Sequence, residues 1–232
     1  MKLSHFAVSA FLALGFTQQA LGESITFVSD TTWQVADSGG TSLGSAQYVC
    51  LNSFVPASCP AGATSYEYPA GWTADLTSIP GAAWIWAPGV TASTSAAYPA
   101  QFLFSKSFEI GSGVLGGSIA LAADDFAEVF VNGTSVGTVG STTDGAAASA
   151  AQSSITTFDI SSWLLKGTNI ISIGGVNGPF GCSGGAYSCN PAGVVFGGEI
   201  FTALVPLPNT LTLFLIGLGG LSLTGVRRRR HP

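Results

Sequence analysis

Ala122-Ala123-Asp124-Asp125-Phe126-Ala127-Glu128-Val129-Phe130-Val131-Asn132-Gly133 lies near the middle of the chain and holds its clearest strand and turn signals. Ala127 to Val131 alternates apolar residues with the single polar Glu128, as a strand with one buried face does. Asn132-Gly133 then supplies the two residues that most readily adopt a left-handed backbone, so a type I′ hairpin is expected. Ser135 to Val139 is its returning strand.

Working outward, further short apolar runs are bounded by turn residues. Ser24–Val28, Ala83–Trp86, Gln101–Ile110, Ser118–Ala123, Thr156–Ile160, Ile170–Ile173 and Gly193–Ala203 read as strands. In the third of these, Phe102, Phe104 and Phe108 share one parity with Lys106. Ser161 to Leu165 allows one helical turn, and Lys166 to Asn169 reads as a turn. Thr91–Ala97 and Ser141–Ser154 are rich in Ala, Ser and Thr and read as loops that bring nothing to a core. No long stretch has helical periodicity, and Gly and Pro interrupt the body every few residues. The expectation is an all-β sandwich.

Composition narrows the function. The chain has 232 residues, of which 8% are charged. Its mean hydropathy is +0.46, which excludes a disordered protein. The charges are segregated. All twelve acids lie between Glu23 and Glu199, where Lys106 and Lys166 are the only cations, so that stretch carries −10. Nucleic acid is excluded as a partner of the body. Both histidines, His5 and His231, are at the ends, so Ser-His-Asp, Cys-His and His-metal chemistry are excluded from the body.

The central segment carries a resemblance. Phe104-Ser105-Lys106-Ser107-Phe108, the quoted Ala122–Gly133 run, Phe158-Asp159-Ile160, Leu164-Leu165-Lys166-Gly167-Thr168-Asn169-Ile170-Ile171 and Asn177 follow one another in an order similar to galactose-binding-like domains. It covers about Gln101 to Phe201, and the first third diverges. The resemblance implies a jelly-roll β-sandwich of the kind attached to many glycosidases and surface proteins. It also brings in a structural calcium, with Asp124 and Asp125 as candidate ligands. Alternation along a strand lets only one of two adjacent residues point inward. The competing reading is that one of the pair caps a turn.

The ends read as addresses. Lys2, the apolar run Phe6–Phe16 and Ala20-Leu21-Gly22 form the pattern of a secretory signal peptide over residues 1–22. At the other end come Val205-Pro206-Leu207-Pro208, an apolar run from Leu211 to Val226, and Arg227-Arg228-Arg229-Arg230. Sixteen residues of helix span roughly 24 Å, somewhat less than a ~30 Å hydrocarbon core. Asn209, Thr210 and snorkelling arginines can make up the difference, and the arginines should stay cytoplasmic. This order resembles a PEP-CTERM sorting signal, with Leu207 in place of the usual glutamate. The resemblance implies an exosortase-type processing enzyme as partner and a Gram-negative host. It implies a transient inner-membrane anchor through a single transmembrane helix, and a destination at the cell surface or in the extracellular matrix. Residues 23–204 form the β-sandwich body and 205–232 the sorting signal.

Within an exported body, Cys50, Cys59, Cys182 and Cys189 are expected as disulfides. Four cysteines allow three pairings, of which Cys50–Cys59 with Cys182–Cys189 closes two short loops. Neither local spacing suits zinc. Trp84 and Trp86 share a parity and should be buried. Trp72, in a proline-flanked loop, is the candidate ligand contact, since an exposed indole can stack on a sugar. Asn132-Gly133-Thr134 matches a glycosylation triplet, which the hairpin already explains. No phosphate loop, dinucleotide fingerprint or catalytic set is present. The reading is an exported, non-catalytic surface or matrix protein with exopolysaccharide as its candidate ligand. The alternative is a secreted carbohydrate-active enzyme with a carboxylate pair, Asp75 with Glu67 or Asp125 with Glu199.

Overall fold

The computed structural model describes residues 23–51, 59–66, 72, 74, 76–96, 100–180 and 185–203. The signal-peptide and sorting-signal segments, Cys182, Glu67 and Asp75 lie outside them. The strands in order are β1 (Glu23–Val28), β2 (Gln34–Asp37), β3 (Ser42–Ser45), β4 (Gln47–Leu51), β5 (Thr64–Tyr66), β6 (Ile85–Trp86) and β7 (Ala100–Ile110). They continue as β8 (Val114–Asp124), β9 (Phe126–Val131), β10 (Thr134–Gly140), β11 (Thr156–Asp159), β12 (Gly167–Asn177) and β13 (Gly193–Thr202), with one α-helix among the described residues, α1 (Gly145–Ser153). Among the described residues no helix is long and apolar enough to cross a membrane.

Two sheets face each other in a sandwich. One runs β11-β8-β13-β6-β4-β5, with β1 also paired to β13; the other runs β10-β9-β12-β7-β2-β3. All ladders are antiparallel except β4 with β5. The core between the sheets is strongly aromatic. Trp33 meets Phe196 edge-on at 4.6 Å, and Trp86 meets Phe102 edge-on at 5.4 Å. Lys106, the polar exception on its strand, places its ammonium 5.8 Å from the Trp33 ring and donates to Thr32 Oγ1 at 2.7 Å.

The central hairpin forms for the expected reason. Ala127, Val129 and Val131 are buried while Phe126, Glu128 and Phe130 face outward. Asn132 and Gly133 take φ of 53° and 78°, the two left-handed residues of a type I′ turn. The Asn132 side chain is fully engaged. Its Nδ2 donates to Trp163 O and Asn169 Oδ1, and its Oδ1 accepts from Ile170 N, each at 2.9 Å.

Three sequence expectations need correction. Ser141–Ser154 is not a coreless loop, because α1 occupies most of it and buries Ala148 and Ala151. Alanine is the best helix former, and Asp144 caps the first turn by accepting from Ala146 N and Ala147 N. Small side chains let the helix lie close to the sheet. Thr91–Ala97 also contributes, since Ala96 is buried and Ser95 bridges to Ala186. The turn read at Lys166–Asn169 ends early: β12 begins at Gly167, and Thr168 and Asn169 already pair with β7.

The long strands define two poles. Val114 at the start of β8, Gly167 at the start of β12, Glu23 and Thr202 lie at one pole, where both chain ends emerge. Asp124, Asn177 and Gly193 lie at the other.

Candidate functional site

Asp124 and Asp125 form the centre of the pole opposite the chain ends. Both are buried, at 4% and 2% exposure. This corrects the expectation that only one could point inward. Asp124 ends β8 in one sheet and Phe126 begins β9 in the other, so Asp125 sits at the crossing between layers. Strand alternation does not carry through such a corner. The peptide between the two aspartates is cis.

Every oxygen of the pair accepts a hydrogen bond. Trp72 Nε1 donates to Asp124 Oδ2 at 2.6 Å, and Gln152 Nε2 donates to Asp124 Oδ1 at 2.7 Å and to Asp125 Oδ1 at 3.3 Å. The Gly178 amide donates to Asp125 Oδ2 at 2.8 Å. Asn190 then bonds Gly178 O, and Asn177 bonds Asn190 O. The pair thus ties together the Trp72 segment, α1, the end of β12 and the approach to β13. Gly178 must be glycine here, because a Cβ would lie 2.9 Å from Asp125 Oδ2.

Burial raises the pKa of both carboxyls. For Asp124 burial is the largest cause and the adjacent Asp125 charge the next, which places it well above the carboxylate range. For Asp125 burial outweighs the bonds from Asp124, Gly178 and Gln152 that favour its charged form. Two touching carboxylates out of water do not both ionise. Burial and their mutual repulsion thus favour the neutral form of the pair, most strongly at Asp124. Buried nearby, Tyr66 is raised above the usual phenol range by burial, then by Tyr187 and Asp124. Among the described residues its hydroxyl finds no hydrogen-bond partner.

This donor set does not fit the calcium ion that the family resemblance brought in. N–H groups point at the carboxylate oxygens where a cation would have to sit. Among the described residues, no group of three or more His, Cys, Asp or Glu converges. Glu128 faces the outer side of β9, away from the pair.

Trp72 joins this latch to a cleft. Its ring stacks on Trp84 at 4.3 Å and meets Tyr66 edge-on at 6.1 Å. Trp84 and Trp86 are buried and Trp72 half-buried. A cleft of about 310 Å³ lies between Trp72, Trp84, Val49, Cys50, Pro60 and Leu76. Among the described residues that line it, none is charged. The Cys50–Cys59 disulfide, with Cα atoms 5.7 Å apart, braces its rim between β4 and β5. Cys189 is also disulfide-bonded. Gly193 makes room for both indoles, because a Cβ there would lie 2.9 Å from Trp72 and 3.0 Å from Trp84.

The pair Asp125–Glu199 is not assembled. On the β8–β13 ladder Gly193 faces Asp124 and Glu199 faces Ser118. Six residues of strand put the two acids roughly 20 Å apart, well beyond the ~5–10 Å of glycosidase pairs. Sequence reasoning missed Gln152 and Gly178. The Asp144 cap before an alanine run was the available signal for the helix that delivers Gln152.

No family profile and no curated protein matches the chain. Among solved structures it is similar to parts of glycoside hydrolases. One is the Streptomyces avermitilis α-L-rhamnosidase complexed with L-rhamnose, with 22% identity over 54% of this chain and 12% of that one and a TM-score of 0.36. Another is the β-D-glucuronidase of Dictyoglomus thermophilum, with 12% identity over 78% and 28% of the respective chains and a TM-score of 0.34. The chain spans only a small part of either enzyme. Likeness of this degree carries no conclusion about activity or substrate.

Proposed function

We propose that this chain is an exported, non-catalytic protein of the cell surface or extracellular matrix. Its body is a galactose-binding-like jelly roll that holds neutral exopolysaccharide beside Trp72, and its tail is a PEP-CTERM-type sorting signal. The observation that carries the non-catalytic reading is the state of the two buried acids. Each of their oxygens is already held by a donor from this chain, so this pair pins the fold and is not free to act as a general acid or base. The aromatic cleft beside them, whose described lining is uncharged, suits the apolar face of a neutral sugar. A disulfide-bonded, cation-poor body supports an oxidising, extracytoplasmic setting.

The sorting reading rests on Val205-Pro206-Leu207-Pro208, the apolar run and Arg227–Arg230. An exosortase-type enzyme is the partner, and the inner membrane holds the chain before processing. The test is expression of the epitope-tagged full chain in a Gram-negative host with and without its exosortase. Mass spectrometry of the released protein should show a C-terminus near Pro208 only when the enzyme is present. Quantitative retention of the whole tail in both strains would refute sorting and leave a simple anchor.

A further inference from the structure

The pole where the chain ends emerge carries an apolar surface that the sandwich itself does not use. Leu115 and Leu165 are the two most exposed large apolar residues among those described, at 68% and 60%, and Phe201 is 46% exposed. All three belong to this pole. Leu115 and Phe201 sit where β8 and β13 pair at Val114–Thr202. Leu165 lies in the connection from the Ser161–Trp163 turn to β12, beside the exposed Lys166. Half-buried Trp163 belongs to the same turn. Lys166 is one of the body's two cations. Exposed leucines and a phenylalanine beside a tryptophan and a lysine make up the composition of a bilayer-interface contact.

The chain outside the described residues says what this surface meets. Ala203 leaves from this pole, held by its amide to Gly113 O at 2.7 Å. Seven residues, 204–210, separate it from the apolar run that starts at Leu211. From Ala203 to Leu211 is eight Cα–Cα steps, at most ~29 Å when fully extended. The apolar pole therefore cannot stand farther than that from the bilayer into which the run inserts.

We infer that Leu115, Leu165 and Phe201 dip into the outer face of the lipid bilayer while the tail is anchored. The body then stands upright with the Trp72 cleft pointing away from the membrane. The inference rests on the reading of 211–226 as a membrane anchor and adds the orientation of the body. It also implies that release of the tail leaves this patch facing water, free for contact with other matrix components.

The test uses the full chain reconstituted in phosphatidylcholine vesicles with brominated acyl chains. An environment-sensitive dye is attached to Leu115→Cys, Leu165→Cys or, at the opposite pole on α1, Ser149→Cys. The native cysteines in the described body are disulfide-bonded and stay unlabelled. Quenching at positions 115 and 165 several-fold above that at 149, with the chain resisting carbonate extraction, is the expected result. Equal quenching at all three positions with the chain still carbonate-resistant overturns the orientation but leaves the anchor intact. So does shielding at 115 and 165 that persists in detergent, which would show a second copy covering the patch. A chain extracted by carbonate overturns both the anchor and the orientation.

Discussion

Replacing Asp124 by alanine removes the acceptor for two buried donors. Trp72 Nε1 loses its 2.6 Å bond outright, while Gln152 Nε2 loses its 2.7 Å bond and keeps the 3.3 Å contact to Asp125. An unsatisfied buried donor costs about 1–3 kcal/mol. One full loss and one partial loss give a destabilisation of about 2–4 kcal/mol. Asp124→Asn keeps the shape and one acceptor oxygen, but its NH2 faces the second of the two donors. It should cost about 1–3 kcal/mol, one unsatisfied buried donor. The assay is urea unfolding of the oxidised protein followed by tryptophan fluorescence, at pH 5 and pH 8. The pH dependence has a definite sign. A carboxyl whose pKa is raised on folding holds more protons in the native state than in the unfolded one. Stability from it is complete below the unfolded value of about 4 and falls as pH rises toward the folded value. The lowered pKa values of Asp37 and Asp159 act in the opposite sense, but only as pH falls through the acidic range below about 4. Native protein should therefore be less stable at pH 8 than at pH 5, and Asp124→Asn should flatten that difference. An alanine variant within about 1 kcal/mol of native, or an unchanged pH slope in the asparagine variant, would refute the latch.

Other consequences are independent of that one. Gly193→Ala drives a methyl into both indoles and should destabilise by about 1–3 kcal/mol, read as a lower denaturant midpoint with Trp72 fluorescence shifted to the red. Cleaving Cys50–Cys59 frees a loop of about ten residues and should cost about 2–3 kcal/mol, measurable as the stability difference between native protein and a Cys50→Ala/Cys59→Ala double variant. Chelation by EDTA should leave the thermal midpoint unchanged, because the aspartate pair is closed by N–H donors; a drop of several degrees restored by calcium would overturn the assignment of those oxygens.

How much was legible in the sequence follows from how local the signals are. The Asn132-Gly133 hairpin and the flanking strands were legible because turn chemistry and alternation act over a few residues. β2 to β5 were not. They are three to five residues long, and Gln34–Asp37 or Ser42–Ser45 become strands through pairing with β7 and each other. The helix over 145–153 was hidden because alanine and serine give no amphipathic contrast, and burial of Ala148 and Ala151 is decided by the sheet they meet. Asp124 and Asp125 stood out as adjacent acids. Their shared burial was illegible because strand alternation gives no information at a corner between two layers. Trp72 was singled out for its loop, yet its bond to Asp124 spans 52 positions of chain, and no local pattern announces such a partner.

The most direct test of the central claim is to incubate the purified, oxidised protein with a panel of neutral and acidic polysaccharides, scoring binding and released reducing ends together. The account predicts saturable binding to a neutral polysaccharide, weakened at least tenfold by Trp72→Ala in a variant verified as folded, with no reducing ends above a protein-free control. Release of reducing ends by native protein, abolished by Asp124→Asn or Asp125→Asn, would contradict it and make the buried pair catalytic.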